Sequence, residues 1–175
     1  MSLTDGDQNE NSFKKFKAKF KLLSLPLSIN TLEIDVSKQR KLTGEDNIFV
    51  KSEYPNELYA YGMLTDTTGT YKLIWLEPAE IHVPVLATFT KTGKFIKKEY
   101  MSVGQCGSDC GFECTEFIQI KTDLTIFSAD SIKSSACDSM GNIKETSTQK
   151  YTLFKKGKIS KNGRIDFTSV NKKIH

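Results

Sequence analysis

From Leu58 to Phe167 apolar and polar residues alternate in short runs bounded by glycine, asparagine and aspartate. That period of two marks half-buried strands. The clearest pair is Val83-Pro84-Val85-Leu86-Ala87-Thr88-Phe89 and Phe95-Ile96-Lys97-Lys98-Glu99-Tyr100, separated by Lys91-Thr92-Gly93-Lys94. β-Branched and aromatic residues on both sides of a glycine turn predict an antiparallel hairpin. Pro84, Gly93 and the threonines weigh against a helix. Further strands are expected at 58–64, with Gly62 a bulge, and at 71–76, 117–120, 124–128, 150–154, 158–159 and 164–167. Turns are expected at 66–69, 121–123, 156–157 and 162–163. Residues 25–29 read as extended, 48–50 as a short strand, and 37–46 and 133–142 as polar loops. No alternation of strand with helix occurs, so the fold expected is all-β. Its antiparallel meander would close into a barrel or pack as a sandwich.

The N-terminal end has another period. Phe13, Phe16, Phe20 and Leu23 recur at helical spacing with lysines on the opposite face, Ser12 stands as an N-cap, and Pro26 closes the run. A short amphipathic basic helix follows from this, packed on a sheet or touching a membrane or partner groove. Residues 1–11 are polar and read as a disordered lead or tether, leaving 12–175 as a single β-rich domain.

A chain of 175 residues suits one domain, and a net charge of +4 is well short of the basic density of a dedicated nucleic-acid binder. No run is long and apolar enough for a transmembrane helix. No export signal opens the sequence. Met1-Ser2-Leu3 runs directly into polar residues, as expected of a start from which a signal has been removed.

Four cysteines supply the distinctive chemistry: Cys106, Cys110, Cys114 and Cys137, spaced C-x3-C-x3-C and then a long gap. Nearby Gly104, Gly107 and Gly111 let the chain bend sharply. Two disulfides tying this loop to the segment around Cys137 are the expected reading, with three connectivities open. They imply an oxidising compartment. A four-cysteine zinc module is the alternative, although its usual C-x2-C spacing is missing. A nucleophilic cysteine would need a base, and only His82 and His175 exist, the latter at an end expected to fray.

Phosphate-binding, nucleophile-elbow and zinc-protease motifs are missing from the sequence. Asp109 and Glu113, flanking Cys110, are the candidate acid/base pair for a hydrolase-type alternative. Tyr59, Tyr61, Tyr71 and Trp75 lie on neighbouring strands and could form a stacking face for a sugar or a base, or simply pack in the core. An OB-type nucleic-acid binder using lysines beside phenylalanine and tyrosine rings is a third alternative. No catalytic residue, metal site or cofactor is assigned.

The Phe/Lys helix leading to Leu25-Pro26-Leu27, then Tyr59-Ala60-Tyr61-Gly62, then Ala87-Thr88-Phe89-Thr90-Lys91-Thr92-Gly93-Lys94 together resemble uncharacterised secreted or lipid-anchored proteins of Bacteroidetes-type bacteria, over residues 13–165. The resemblance implies disulfides and a cell-envelope address and transfers no functional residue. The function expected is that of a non-catalytic envelope or secreted protein binding a small molecule or protein, located in the periplasm, on the outer membrane or outside the cell. Nucleic acid is not expected as a partner. Membrane contact would come only through an N-terminal anchor outside this sequence or the Phe13–Leu23 helix.

Overall fold

The computed structural model describes residues 5–175, with side chains from residue 10 onward. In chain order the elements are α1 (Asp5–Lys17), β1 (Leu22–Leu23), β2 (Leu27–Asn30), β3 (Arg40–Lys41), α2 (Asn47–Val50), β4 (Tyr59–Leu64), β5 (Tyr71–Glu77), β6 (Val83–Phe89), β7 (Phe95–Tyr100), β8 (Phe112–Ile120), β9 (Thr125–Ser134), β10 (Gln149–Ile159), β11 (Ile165–Phe167) and β12 (Asn171–Ile174). The strands form two sheets. The first is the meander β4-β5-β6-β7, extended along the β4 edge by β1 and β3. The second is β2-β8-β9-β10, with β11 and β12 sharing the β10 edge. Only β1–β4 is parallel among the pairings described. Two sheets face to face make a sandwich rather than a closed barrel.

A third layer covers the other side of the first sheet. Phe13 and Phe16 of α1, Phe20 beyond it and Phe49 of α2 pack with Leu73, Trp75, Ala87 and Phe89. Phe16 stacks on Phe49 at 4.8 Å, and Phe13 meets Phe89 at 5.1 Å. Between the sheets lies a second cluster, including Leu64, Ile74 and Leu86 from the first and Ile29, Ile118 and Ile126 from the second. The first sheet is therefore buried on both faces, which explains why β5 and β6 read as near-continuous apolar runs. The hairpin turns at Gly93, whose φ of +84° suits glycine.

Several expectations need correction. The helix covers Asp5–Lys17 rather than starting at Ser12, so part of the expected lead is helical; residues 1–4 lie outside the described residues. It stops before Phe20 because Leu22 and Leu23 join the edge of β4, where Met63 N–H donates to Lys21 O at 2.8 Å and Thr65 N–H to Leu23 O at 3.0 Å. The chain then enters the second sheet past a cis Leu25–Pro26 bond. Ile48-Phe49-Val50 is a helical turn, not a strand. Just before it, the Asp46 carboxylate accepts from the Thr43 N–H at 2.7 Å and from Lys19 Nζ at 2.6 Å, fixing a tight turn. The turn expected at 156–157 is absent: β10 runs unbroken for 11 residues, and Gly157 leaves room for the Phe167 ring lying on it. The end does not fray. Strand β12 pairs with β10, and His175 N–H donates to Lys150 O at 3.0 Å.

Candidate functional site

Both disulfides form at one end of the sandwich, where residues 101–111 cross from β7 to β8. Cys106–Cys114 closes this loop onto the start of β8, and Cys110–Cys137 ties it to the connection after β9. No cysteine is free, which leaves no thiol for a zinc-thiolate site or for a nucleophile paired with a histidine. His82 instead meets Tyr59 edge-on at 5.6 Å, and the His175 ring nitrogen bonds the Thr152 hydroxyl at 2.8 Å. Two disulfides mark an oxidising, extracellular-type environment. No helix of the described residues is long and apolar enough to cross a membrane. Asp109 and Glu113 do not act as a pair. The first accepts from the Cys110 N–H at 2.7 Å, the second from Lys133 Nζ at 2.8 Å, and both are exposed.

A buried pair of acids lies beneath the loop. Glu116 of β8 and Asp130 of β9 are cross-strand partners, 1% and 0% exposed, on the face turned towards the first sheet. The loop holds both. Ser102 Oγ donates to Glu116 at 2.8 Å, and the Gln105 N–H donates to Asp130 Oδ2 at 2.8 Å. The Cys106–Cys114 sulfurs lie within 4.8 Å of the Asp130 carboxylate; being bonded to each other, they are not metal ligands. Lys155 of β10 points the same way and donates to Tyr100 O at 2.9 Å. Burial raises the pKa of Glu116, and the Asp130 charge raises it further against the Ser102 bond. Burial raises Asp130 too, opposed by the Gln105 amide, and burial lowers Lys155, opposed by Glu99, Glu116 and Asp130. Facing carboxylates out of water cannot both ionise cheaply. A proton shared between them would supply the donor that Asp130 Oδ1 lacks.

The sign of the pH dependence follows. Both acids have raised folded pKa values, so their contribution to stability is full below the ordinary carboxylate range and is lost as pH rises through the folded values. Asp35, Asp66 and Asp138 shift downward, and Asp123 falls to about 2, so those groups act in the opposite direction but only at more acidic pH. Lys155 and Lys72, lowered by burial, act in the alkaline range. Between these ranges Glu116→Gln, whose amide can donate to Asp130 without titrating, is expected to flatten the fall. Melting temperatures measured from pH 4.5 to 8.5 check this; parallel curves for both proteins would show that no proton is held there.

The four aromatic residues expected to form one face are divided. Alternation and the bulge at Ala60/Gly62 put Tyr59 and Tyr61 on the inter-sheet side of β4. Tyr71 and Trp75 belong to the helix side. Trp75 is fully buried and donates its indole N–H to Glu77 at 3.0 Å. The Tyr100 hydroxyl also donates to Glu77, and that bond pushes its pKa up to about 12. Tyr71 lies beneath Lys17 and Lys91, with Nζ 3.8 and 4.4 Å from the ring centre.

A different aromatic surface exists on the outer face of the second sheet. Phe117 of β8 and Phe154 of β10 both register with Ala129 of β9, and Phe127 lies diagonal to them, 6.0 Å from Phe154. Phe117 is 39% exposed, the other two are half-buried, and none belongs to either core cluster. Glu116, Asp130 and Lys155 occupy the neighbouring inward positions. At this end of the sheet the usual pattern is inverted, with charges inside and phenyl rings outside. The next outward row is Thr115, Ser131, Thr152 and Lys173, and beyond it come Glu113, Lys133 and Lys150, with His175 at the edge. A shallow depression of about 340 Å³ opens there, lined by Thr115, Ser131, Lys133, Lys150 and His175 among others. The sequence carried a signal for this face in Thr115-Phe117-Gln119 and Thr152-Phe154-Lys156, but alternation alone does not say which half turns inward. No protein-family model, curated protein or solved structure matches this chain.

Proposed function

We propose that this is a non-catalytic binding protein of the periplasm, outer membrane surface or cell exterior, and that it binds through the outer face of the second sheet. The observation that carries this reading is the inverted pattern: Phe117, Phe127 and Phe154 face outward while Glu116, Asp130 and Lys155 are turned inward. Turning phenyl rings to water forgoes burial of apolar surface, roughly 25 cal/mol per Å². An apolar patch of this kind, Phe117, Ala129 and Phe154 in one row with Phe127 beside it, marks a contact surface. The two disulfides hold the loop behind this sheet and fit an exported protein, as does the resemblance of residues 13–165 to secreted and lipid-anchored proteins. The Glu116–Asp130 pair is sealed beneath the loop, so it serves packing rather than turnover in this reading.

The test is retention on a panel of immobilised polysaccharides, anionic and neutral vesicles, and extracellular proteins. The wild-type chain is expected to be retained by at least one member. Phe117→Ser/Phe154→Ser is expected to lose that retention by at least tenfold while melting within a few degrees of wild type. Retention that survives the double substitution moves the contact elsewhere, and turnover of a panel member rejects the non-catalytic reading.

A further inference from the structure

We infer that the ligand of this face is an anionic glycan, its acid groups held in the depression beside Lys133 and Lys150 and its sugar rings lying on the phenyl row. The inference rests on the outer-face reading above. Three surface features meet here. The depression is lined by Lys133 and the exposed Lys150, together with Thr115, Ser131 and Glu113. Lys133 already holds Glu113 at 2.8 Å, whereas Lys150 has no ion pair among the described residues. Lys173, likewise exposed, extends the positive side across β12. Next comes the hydroxyl row, and then the rings of Phe117 and Phe154. From Glu113 to Phe117 is four residues of strand, about 13 Å, so charge, hydroxyl and ring lie in sequence along a single track. A linked chain of sugars presents that same series: an acid group, hydroxyls at the rim and an apolar ring face. The flat β-surface suits an extended polymer better than an enclosed small molecule.

The other anionic polymers fit less well. A nucleic acid carries a phosphate at each step and calls for a continuous basic track beside its stacked bases. Here Lys133, Lys150 and Lys173 lie to one side of the phenyl row and Lys156 to the other, while the row itself, Phe117, Ala129, Phe154 and Asn171, carries no cation. A membrane surface is engaged by side chains that project into the acyl region, whereas Phe127 and Phe154 are half-buried and lie flush with the sheet.

The test is affinity electrophoresis or calorimetry at 50 mM salt. The probes are polygalacturonate, dextran sulfate, neutral dextran, a 20-mer of oligothymidylate and vesicles containing phosphatidylglycerol. Polygalacturonate or dextran sulfate should bind, and which of them does so identifies the acid group as carboxylate or sulfate. Lys133→Gln/Lys150→Gln should weaken that binding roughly tenfold, as should 0.5 M salt, with the fold intact by melting temperature. Binding to neither acidic polymer, equal binding to dextran, stronger binding to oligothymidylate or vesicles, or no effect of the lysine changes would overturn the inference. Dextran binding that is lost in Phe117→Ser/Phe154→Ser but indifferent to the lysines keeps the outer-face reading and removes only its anionic part. Binding indifferent to both sets of changes removes both.

Discussion

Replacing Phe16 with alanine is expected to cost about 3–5 kcal/mol, the range for removing a buried phenyl ring from a packed core. Phe16 is 1% exposed and touches Phe13, Phe20, Phe49 and Phe89 with ring centres 4.8–6.2 Å apart. It is the centre of the contact between α1 and the first sheet. Little else can hold a helix of this composition. Its first turns are polar, and its last turn carries Lys14, Lys15 and Lys17. An isolated helix of 13 residues is marginal in water. Loss of the ring should therefore release the helix as well as leave a void. The expected readouts are a fall in melting temperature of roughly 10 °C and faster amide exchange across α1 than across β8–β10. A variant that melts lower but keeps α1 protected would show that other contacts suffice to dock the helix.

The second large effect is at the other end of the sandwich. Cys110→Ser/Cys137→Ser opens a bridge between residues 27 apart in sequence and is expected to cost about 3–4 kcal/mol by loop-closure entropy. Cys106→Ser/Cys114→Ser opens one spanning only 8, with an expected cost of about 2.5 kcal/mol. The two should differ in a second respect. Cys106 follows Gln105, whose amide is bonded to Asp130. Freeing Cys106 should loosen the cover of the acid pair and reduce the pH dependence of stability, while freeing Cys110 should leave that dependence unchanged. Denaturant unfolding of each double variant at pH 5 and pH 8 separates the two roles. Identical pH dependence in both would place the cover elsewhere in the loop.

The hairpin β6–β7 was legible because every local signal agreed: β-branched strands, a glycine able to take positive φ, and polar residues at the bend. The strands on either side of it were legible for the same reason. Their assignment to two sheets was not, since no local pattern says that the chain leaves the first sheet at Tyr100. The helix was recognised by its phenylalanines but misplaced at both ends. Phe20 and Leu23 continue the helical spacing, yet the unpaired edge of β4 captures Leu22 and Leu23. The strand expected at 48–50 failed because Thr43 and Asp46 build a turn through side-chain bonds that a hydrophobicity pattern does not register. The disulfides were foreseen, though not their pairing, which depends on where β8 and β9 bring Cys114 and Cys137. The four rings read as a shared stacking face or as core are divided between the two sides of the first sheet. Tyr59, Tyr61, Tyr71 and Trp75 are neighbours in strand order, but on the first sheet both faces are covered, so no choice of side would have exposed them together. On the second sheet, Glu116, Asp130 and Lys155 look like outward residues, and their true direction emerges only with the loop that bonds them.

The three-layer build also bears on how freely such a surface could diversify. The positions around Phe117, Phe154 and Ser131 belong to neither packed cluster, and their partners across the strand are main-chain bonds that any side chain permits. Descendants of this chain could exchange one recognition chemistry for another there while inheriting the same interior, much as a single tool handle accepts different heads.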